Sequence, residues 1–112
     1  MRQFKDLTKM KEIEHFIHNH QLSLLYISKP NCSVCHSLLP QVQELMDKYP
    51  EIQLGHINTA DVEEVAGRFD IFTVPVLLLF WEGKEYLREA RIVHMDLLED
   101  KLDRIYKNVV GE

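Results

Sequence analysis

The stretch LSLLYISKPNCSVC, residues 22–35, decides the fold. Its first half, Leu22–Ser28, is short and almost continuously apolar, which is typical of a strand buried on both faces of a partly parallel sheet. The segment Lys29-Pro30-Asn31 ends this strand, and apolar residues at helical spacing begin at Cys32. We therefore expect Cys32 and Cys35 where a buried strand passes into the N-terminus of a helix.

The rest of the chain surrounds this junction with alternating helix and strand patterns. Helical spacing predicts an amphipathic helix over residues 6–19, a helix over residues 32–49 kinked at Pro40, a short helix from near Asp61 to near Gly67, and a closing helix over residues 95–109. Strand patterns cover residues 22–28, 52–58, 76–81 and 84–92, and Glu82-Gly83 offers a tight turn between the last two.

The order of these elements is α-β-α-β-α-β-β-α. The β-α-β portion implies parallel strands joined by a right-handed crossover, and the final pair of strands implies an antiparallel hairpin. The sequence therefore predicts an α/β fold with a mixed central sheet and helices on both faces. We expect residues 1–112 to form a single domain.

Composition narrows the class of protein. The 112 residues are 46% hydrophobic and 28% charged, with a net charge of -5, which is typical of a soluble globular domain that needs no structural metal. The excess of 18 acidic over 13 basic side chains argues against a nucleic-acid partner. The first residues lack an apolar run of signal-peptide length, and the longest apolar run, residues 74–81, is too short to cross a membrane. We expect a cytoplasmic protein with no membrane partner.

The spacing of the cysteines suits reversible thiol chemistry. At a helix N-terminus, unpaired N–H groups and the helix dipole stabilise a thiolate, which lowers the pKa of the first cysteine and makes Cys32 the attacking nucleophile. The two intervening residues let Cys35 reach a mixed disulfide on Cys32 and release the partner.

Three other roles for the two cysteines fit the surrounding sequence less well. Two small apolar cysteines can simply pack in a core. A structural zinc ion needs about four ligands, and His36 cannot easily join both cysteines on one ion within a tight helical turn. The string Cys32-Ser33-Val34-Cys35-His36 also fits the pattern for covalent haem attachment, but that chemistry needs axial ligands and an exported chain. We therefore expect no metal and no bound cofactor.

Over its whole length the chain resembles the thioredoxin family. Three features carry the resemblance: the Cys32/Cys35 pair at a strand-to-helix junction, Pro40 inside the following helix, and Thr73-Val74-Pro75 before the long apolar strand. The resemblance implies the thioredoxin fold, a cis peptide bond before Pro75, and a Val74 backbone that pairs with an incoming extended segment. Substrate docking is thus expected at Thr73, Val74 and Pro75, with Asn31 beside Cys32.

The resemblance also implies a thiol-disulfide oxidoreductase active in redox homeostasis. Its partners are expected to be disulfide-containing proteins or small thiols, together with a reductase or low-molecular-weight thiol that recycles it. No oligomer is needed for this chemistry, so we expect a monomer. The alternative is a thioredoxin-fold adaptor or redox-sensing module with little turnover.

Several positions depart from the family pattern. Asn31-Cys32-Ser33-Val34-Cys35 stands where the common type has Trp-Cys-Gly-Pro-Cys, and Arg91 stands where the family has a glycine lining the docking groove. The family's buried acid corresponds to Tyr26 and its neighbouring lysine to His56. A tyrosine is a poor base at neutral pH, whereas a histidine titrates near neutrality. His56 and Tyr26 are thus the candidate proton-relay residues, with His56 the more suitable base, and the other interpretation of His56 is an ordinary strand histidine.

Overall fold

A computed structural model describes residues 1–111 and shows five strands and four α-helices in that part of the chain. In chain order the elements are β1 (Lys5–Asp6), α1 (Met10–His18), β2 (Leu22–Ser28), α2 (Ser33–Leu45), β3 (Gln53–Asn58), α3 (Val65–Arg68), β4 (Val76–Trp81), β5 (Lys84–Ala90) and α4 (Met95–Val110). A single turn of 3-10 helix, Met46–Lys48, follows α2. None of the helices in residues 1–111 is long and apolar enough to span a bilayer.

The strands form one mixed sheet in the order β1-β3-β2-β4-β5. Strands β1, β3 and β2 run parallel, whereas β4 is antiparallel to both β2 and β5. This confirms the predicted sheet, with a parallel β-α-β unit and an antiparallel hairpin. The register pairs Tyr26 of β2 with His56 of β3, so these two candidate site residues are neighbours on the same face.

Each face of the sheet carries its own core because successive strand residues point to opposite faces. On one face, Leu24 and Tyr26 pack in a cluster with residues of α2 and α4. On the other face, Leu25 and Ile27 pack with residues of α1 and α3. Helices therefore cover both faces, as the sequence predicts, and β2 is buried along its full length.

The first predicted helix begins later than expected. Residues 6–19 were expected to be helical, but Lys5–Asp6 form β1 and the helix starts at Met10. Leu7 explains the difference, because its side chain is only 2% exposed and its N–H donates to the carbonyl of His56 at 2.9 Å. This tertiary pairing outweighs a helical pattern that Leu7 also satisfies.

Three other boundaries differ. The helix predicted over residues 32–49 is α2 followed by the 3-10 turn, and α2 continues through Pro40. The short third helix is only α3, and Asp61 lies in the turn before it. Strand β5 ends at Ala90 rather than at residue 92, because Arg91 adopts a left-handed φ of 67° that interrupts the extended chain.

Candidate active site

The two cysteines lie together at the start of α2. Cys32 is the N-cap residue of the helix and forms a disulfide with Cys35, with the two Cα atoms 5.3 Å apart. The backbone N–H of Cys35 donates to Cys32 Sγ at 3.2 Å, and in the reduced protein this donor would stabilise a thiolate on that sulfur. Cys32 is half-buried and Cys35 is only 4% exposed, so an incoming thiol or disulfide reaches Cys32 first.

The loop before β4 lies at the same end of the sheet as the disulfide. The bond between Val74 and Pro75 is cis, as the family resemblance implied. Because Ile27 of β2 pairs with Val76 of β4, the loop before β4 meets the segment that leads from β2 to Cys32. Thr73 is exposed and Val74 is half-buried, so the Val74 backbone lies close to the surface.

Tyr26 lies beneath the disulfide and contacts the helix backbone. Its ring is 1% exposed, and its hydroxyl donates to the carbonyl of Cys35 at 2.5 Å. Burial raises the pKa of Tyr26 to about 12, so this hydroxyl stays protonated at neutral pH. The family's buried acid is thus replaced by a neutral group that holds the main chain of Cys35 rather than its sulfur.

His56 connects two polar side chains beside the same cavity. Its Nδ1 lies 2.9 Å from Asp6 Oδ1, and its Nε2 lies 2.7 Å from Ser28 Oγ. An Nδ1–H that donates to the carboxylate leaves Nε2 with a lone pair that accepts the Ser28 hydroxyl proton. The carboxylate thereby orients the ring and selects its tautomer.

Asp6 and Ser28 were missed by the sequence analysis. Asp6 belongs to a two-residue strand, which is too short to show any alternation, and only its pairing with His56 in β1 and β3 brings it to the site. Ser28 did carry a recognisable signal, because residues two apart on a strand share a face and Ser28 lies two residues after Tyr26.

One cavity borders the disulfide, and a second is lined by residues of α2 next to the cysteines. The larger, which we call the relay pocket, has a volume of about 630 Å³ and is lined by both cysteines, Tyr26, Ser28 and His56, among others. The smaller, which we call the α2 cavity, has a volume of about 210 Å³ and includes Val34, Leu38, Arg91 and Ile92 in its lining. The structure thus brings Cys32, Cys35, Tyr26 and His56 around one space and places Arg91 on the other side of α2.

The remaining predicted docking residues, Asn31 and Arg91, line the relay pocket and the α2 cavity respectively. Asn31 has a left-handed φ of 60° directly before Cys32. The N–H of Arg91 donates to the carbonyl of Pro75 at 2.9 Å, which ties the loop after β5 to the cis-proline loop. Across residues 1–111, no three His, Cys, Asp or Glu side chains lie close enough together to hold a metal ion.

Comparisons with known proteins identify the family. The Thioredoxin family model matches residues 5–104. The chain is 54% identical over 112 residues to the thioredoxin-like protein YdfQ of Bacillus subtilis (strain 168), covering 100% of both chains. It is 25% identical over 73 residues to a thioredoxin of Chlamydia pneumoniae, which covers 65% of this chain and 72% of that protein.

Solved structures agree on the fold. The oxidised thioredoxin of Plasmodium falciparum superimposes with a TM-score of 0.83 at 16% identity, covering 93% of this chain and 99% of that one. The thioredoxin of Fasciola hepatica gives a TM-score of 0.81 at 20% identity over 90% of this chain and 98% of that one. Together with the family model and the full-length relative, the buried strand that leads into a disulfide at a helix N-terminus shows that this chain belongs to the thioredoxin family.

Proposed function

We propose that this thiol-disulfide oxidoreductase works as a reductant of protein or low-molecular-weight disulfides through Cys32 and Cys35. The observation that carries the proposal is the asymmetric burial of a disulfide at the N-terminus of α2, with Cys32 half-buried and Cys35 buried. A helix N-terminus stabilises the thiolate that attacks, and the buried second sulfur is held ready to resolve the intermediate.

The proposed reaction has two exchanges. In the reduced protein, the Cys32 thiolate attacks one sulfur of the substrate disulfide, and the other substrate sulfur leaves as a thiolate. The Cys35 thiol then loses its proton and attacks Cys32, which reforms the Cys32–Cys35 bond and releases the second substrate thiol. Two electrons pass from the protein to the substrate, and a reductase or a low-molecular-weight thiol restores the dithiol.

His56 is the proposed acceptor of the Cys35 proton. It lines the relay pocket with Cys35, and its Nε2 is bonded to Ser28 Oγ, which lines the same pocket. A hydroxyl can accept one proton while it donates another. Ser28 is therefore suited to take a proton from the Cys35 thiol as it gives its own proton to His56. Tyr26 anchors the Cys35 carbonyl and does not take part in the transfer.

Docking is proposed at the loop that carries the cis proline. An extended substrate segment would pair with the Val74 backbone, with Thr73, Pro75, Asn31 and Arg91 around it. The exposed position of Thr73 and the half-buried Val74 support this arrangement. The protein would act as a monomer, and a reducing role of this kind fits the cytoplasm.

The test is reduction of insulin disulfides by the wild-type protein and two single variants. Cys32→Ser should abolish turnover because it removes the nucleophile, whereas Cys35→Ser should accumulate mixed disulfides on Cys32 that mass spectrometry detects. Full turnover by Cys32→Ser would overturn the assignment.

The replacement of the buried acid by Tyr26 favours a second candidate, an adaptor or redox-sensing module whose dithiol turns over little. Alkylation of reduced Cys32 with iodoacetamide across pH separates the two functions. An active reductase should show a thiol that titrates clearly below the usual value near 8.5, and an adaptor should show the usual value together with no insulin reduction.

A further inference from the structure

Charge is distributed unevenly around the disulfide. The whole chain has 18 acidic and 13 basic side chains. Nevertheless, the residues that line the relay pocket and the α2 cavity include Lys29, His36 and Arg91, and no Asp or Glu from residues 1–111 is among them. Acidic side chains do line other cavities of this surface, for example Glu44 and Glu99 beside the far end of α2. The linings of these two cavities therefore carry the positive charges of Lys29 and Arg91 and, within the described part of the chain, no carboxylate, while Asp6 lies behind His56.

The guanidinium of Arg91 is free to meet a partner. Its backbone is fixed by the hydrogen bond from its N–H to the carbonyl of Pro75, at 2.9 Å. Its side chain is exposed and makes no ion pair or hydrogen bond within residues 1–111. Glu89, two residues earlier, is instead paired with Lys101 at 2.6 Å, so it leaves the charge of Arg91 uncompensated.

Apolar side chains lie next to this cation. Val34 is 55% exposed and Ile92 is 75% exposed, and both line the α2 cavity with Arg91. On the loop before Pro75, Phe72 is 92% exposed. Grouped apolar side chains that remain exposed to water are typical of an interaction surface.

We infer that the preferred substrates are disulfides in extended, acidic peptide segments, with a carboxylate that pairs with Arg91 and an apolar side chain that enters the α2 cavity. This inference rests on the proposed function and names the substrate class for it. Arg91 is the specificity-determining residue, because a guanidinium recognises a carboxylate through paired hydrogen bonds. Lys29, which is exposed and lines the relay pocket, adds attraction for an anionic segment.

The test uses three peptides that share a cysteine with a leucine next to it. They differ only in the residues on either side of this pair, which are glutamates, glutamines or lysines. Each peptide is joined to thionitrobenzoate, and the reduced protein attacks the peptide sulfur and releases thionitrobenzoate, whose absorbance gives the rate. We expect the glutamate peptide to react about tenfold faster than the lysine peptide at low salt. The ratio should fall as salt screens the charges.

Three variants locate the preference. Arg91→Glu should bring the ratio to about one or reverse it, since like charges then face each other. Arg91→Gly should remove most of the preference, and glycine accepts the left-handed backbone at this position, so loss of folding would not be the cause. Lys84→Glu, at the opposite end of β4 and β5, makes the same change in net charge and should leave the ratio almost unaltered.

The results test the substrate class, the role of Arg91 and the proposed function separately. Equal rates for the three peptides would overturn the substrate class while leaving the oxidoreductase intact. An equal loss of preference in Lys84→Glu and Arg91→Glu would overturn the assignment to Arg91. Failure to release thionitrobenzoate from any peptide would count against the proposed function itself.

Discussion

At the scale of single residues, Tyr26 and His56 divide two tasks beneath the disulfide. Tyr26 holds the Cys35 carbonyl through a 2.5 Å hydrogen bond, and burial raises its pKa to about 12. His56 is bonded to Asp6 on one side and Ser28 on the other, so it offers a line for proton movement. In the proposed mechanism Tyr26 positions the backbone of Cys35 and His56 accepts the proton.

The role of His56 predicts that release of the mixed disulfide depends on its imidazole. His56→Ala should slow this release near pH 7 by about tenfold or more, because general base catalysis is lost. Asp6→Asn removes the carboxylate that orients the ring and selects its tautomer, so it should also slow release, but by less than His56→Ala does. Stopped-flow measurement of the release step gives both rates.

The control for this prediction is Asp61→Asn. Asp61 lines the same small cavity as Asp6 and His56 but is not hydrogen-bonded to the imidazole. Its replacement should slow release less than Asp6→Asn does. An unchanged release rate in His56→Ala would leave His56 as a structural residue.

Tyr26 predicts a loss of stability in alkali. Because the folded protein has a tyrosine pKa near 12 and the unfolded chain one near 10, the folded state binds more protons between those values. The contribution of Tyr26 is fully present below about pH 10 and is lost as the pH rises through about 12. Denaturant unfolding across this range should show a declining free energy of unfolding, and Tyr26→Phe should flatten the decline.

Two comparisons complete the measurement on Tyr26. At neutral pH, Tyr26→Phe should reduce the free energy of unfolding by about 0.5–1.5 kcal/mol, as expected for one lost hydrogen bond. Tyr86→Phe is the matched control, because Tyr86 is 51% exposed. It should leave the alkaline decline as it is in the wild-type protein. Burial also raises the pKa of Tyr49 to about 12, so part of the decline should persist in Tyr26→Phe.

At the scale of elements, β1 is the shortest strand, yet it brings Asp6 to the active site. Its pairing with β3 places Asp6 opposite His56, and the following residue, Leu7, is buried. Gly55 makes this pairing possible. A Cβ on Gly55 would lie 2.7 Å from Leu7 Cδ1 and 3.1 Å from both Leu25 Cδ2 and Phe16 Cε2.

Gly55→Ala should therefore destabilise the protein by about 1–3 kcal/mol, because the added methyl group overpacks the contact with Leu7. Gly67→Ala is the control, since a Cβ there meets nothing within 4 Å and the residue lies in α3. It should be neutral or stabilising by up to about 1 kcal/mol. Chemical denaturation of both variants measures the difference, and equal stabilities would contradict the packing argument.

The element patterns were largely predictable because burial imposes periodicity on long segments. The buried strand β2, the apolar strand β4 and the helix α4 each repeat their pattern over six or more residues. Strand β1 has two residues, too few to show a period, and α3 has four, so the spacing predicted a helix there but placed its start too early. These short elements form because the larger ones create partners for them.

At the scale of the whole molecule, the reduction potential depends on how stable the fold makes the reduced protein relative to the oxidised protein. A buried carboxylate beneath the sulfurs would disfavour the Cys32 thiolate, but the group here is the neutral Tyr26. The neutral side chain therefore favours the reduced protein relative to a family member that has the buried acid, and we expect a more oxidising protein.

We therefore predict a potential above about -270 mV, measured by equilibration with glutathione buffers. Tyr26→Asp should lower the potential, because it restores a charge that opposes the thiolate. Tyr26→Phe is the control and should change the potential less, since it adds no charge. A potential that stays the same in Tyr26→Asp would contradict the electrostatic explanation.

The sequence by itself determined the thioredoxin family, the mixed sheet and the placement of Cys32 and Cys35 at a helix start. These properties follow from local patterns, because apolar periodicity and the Cys-x-x-Cys spacing are written in consecutive residues. Only the tertiary structure decided that Asp6 orients His56 and that Arg91 lines the α2 cavity while its backbone is held by Pro75. Asp6 and His56 are 50 positions apart, and such contacts arise only when strand pairing brings distant segments together.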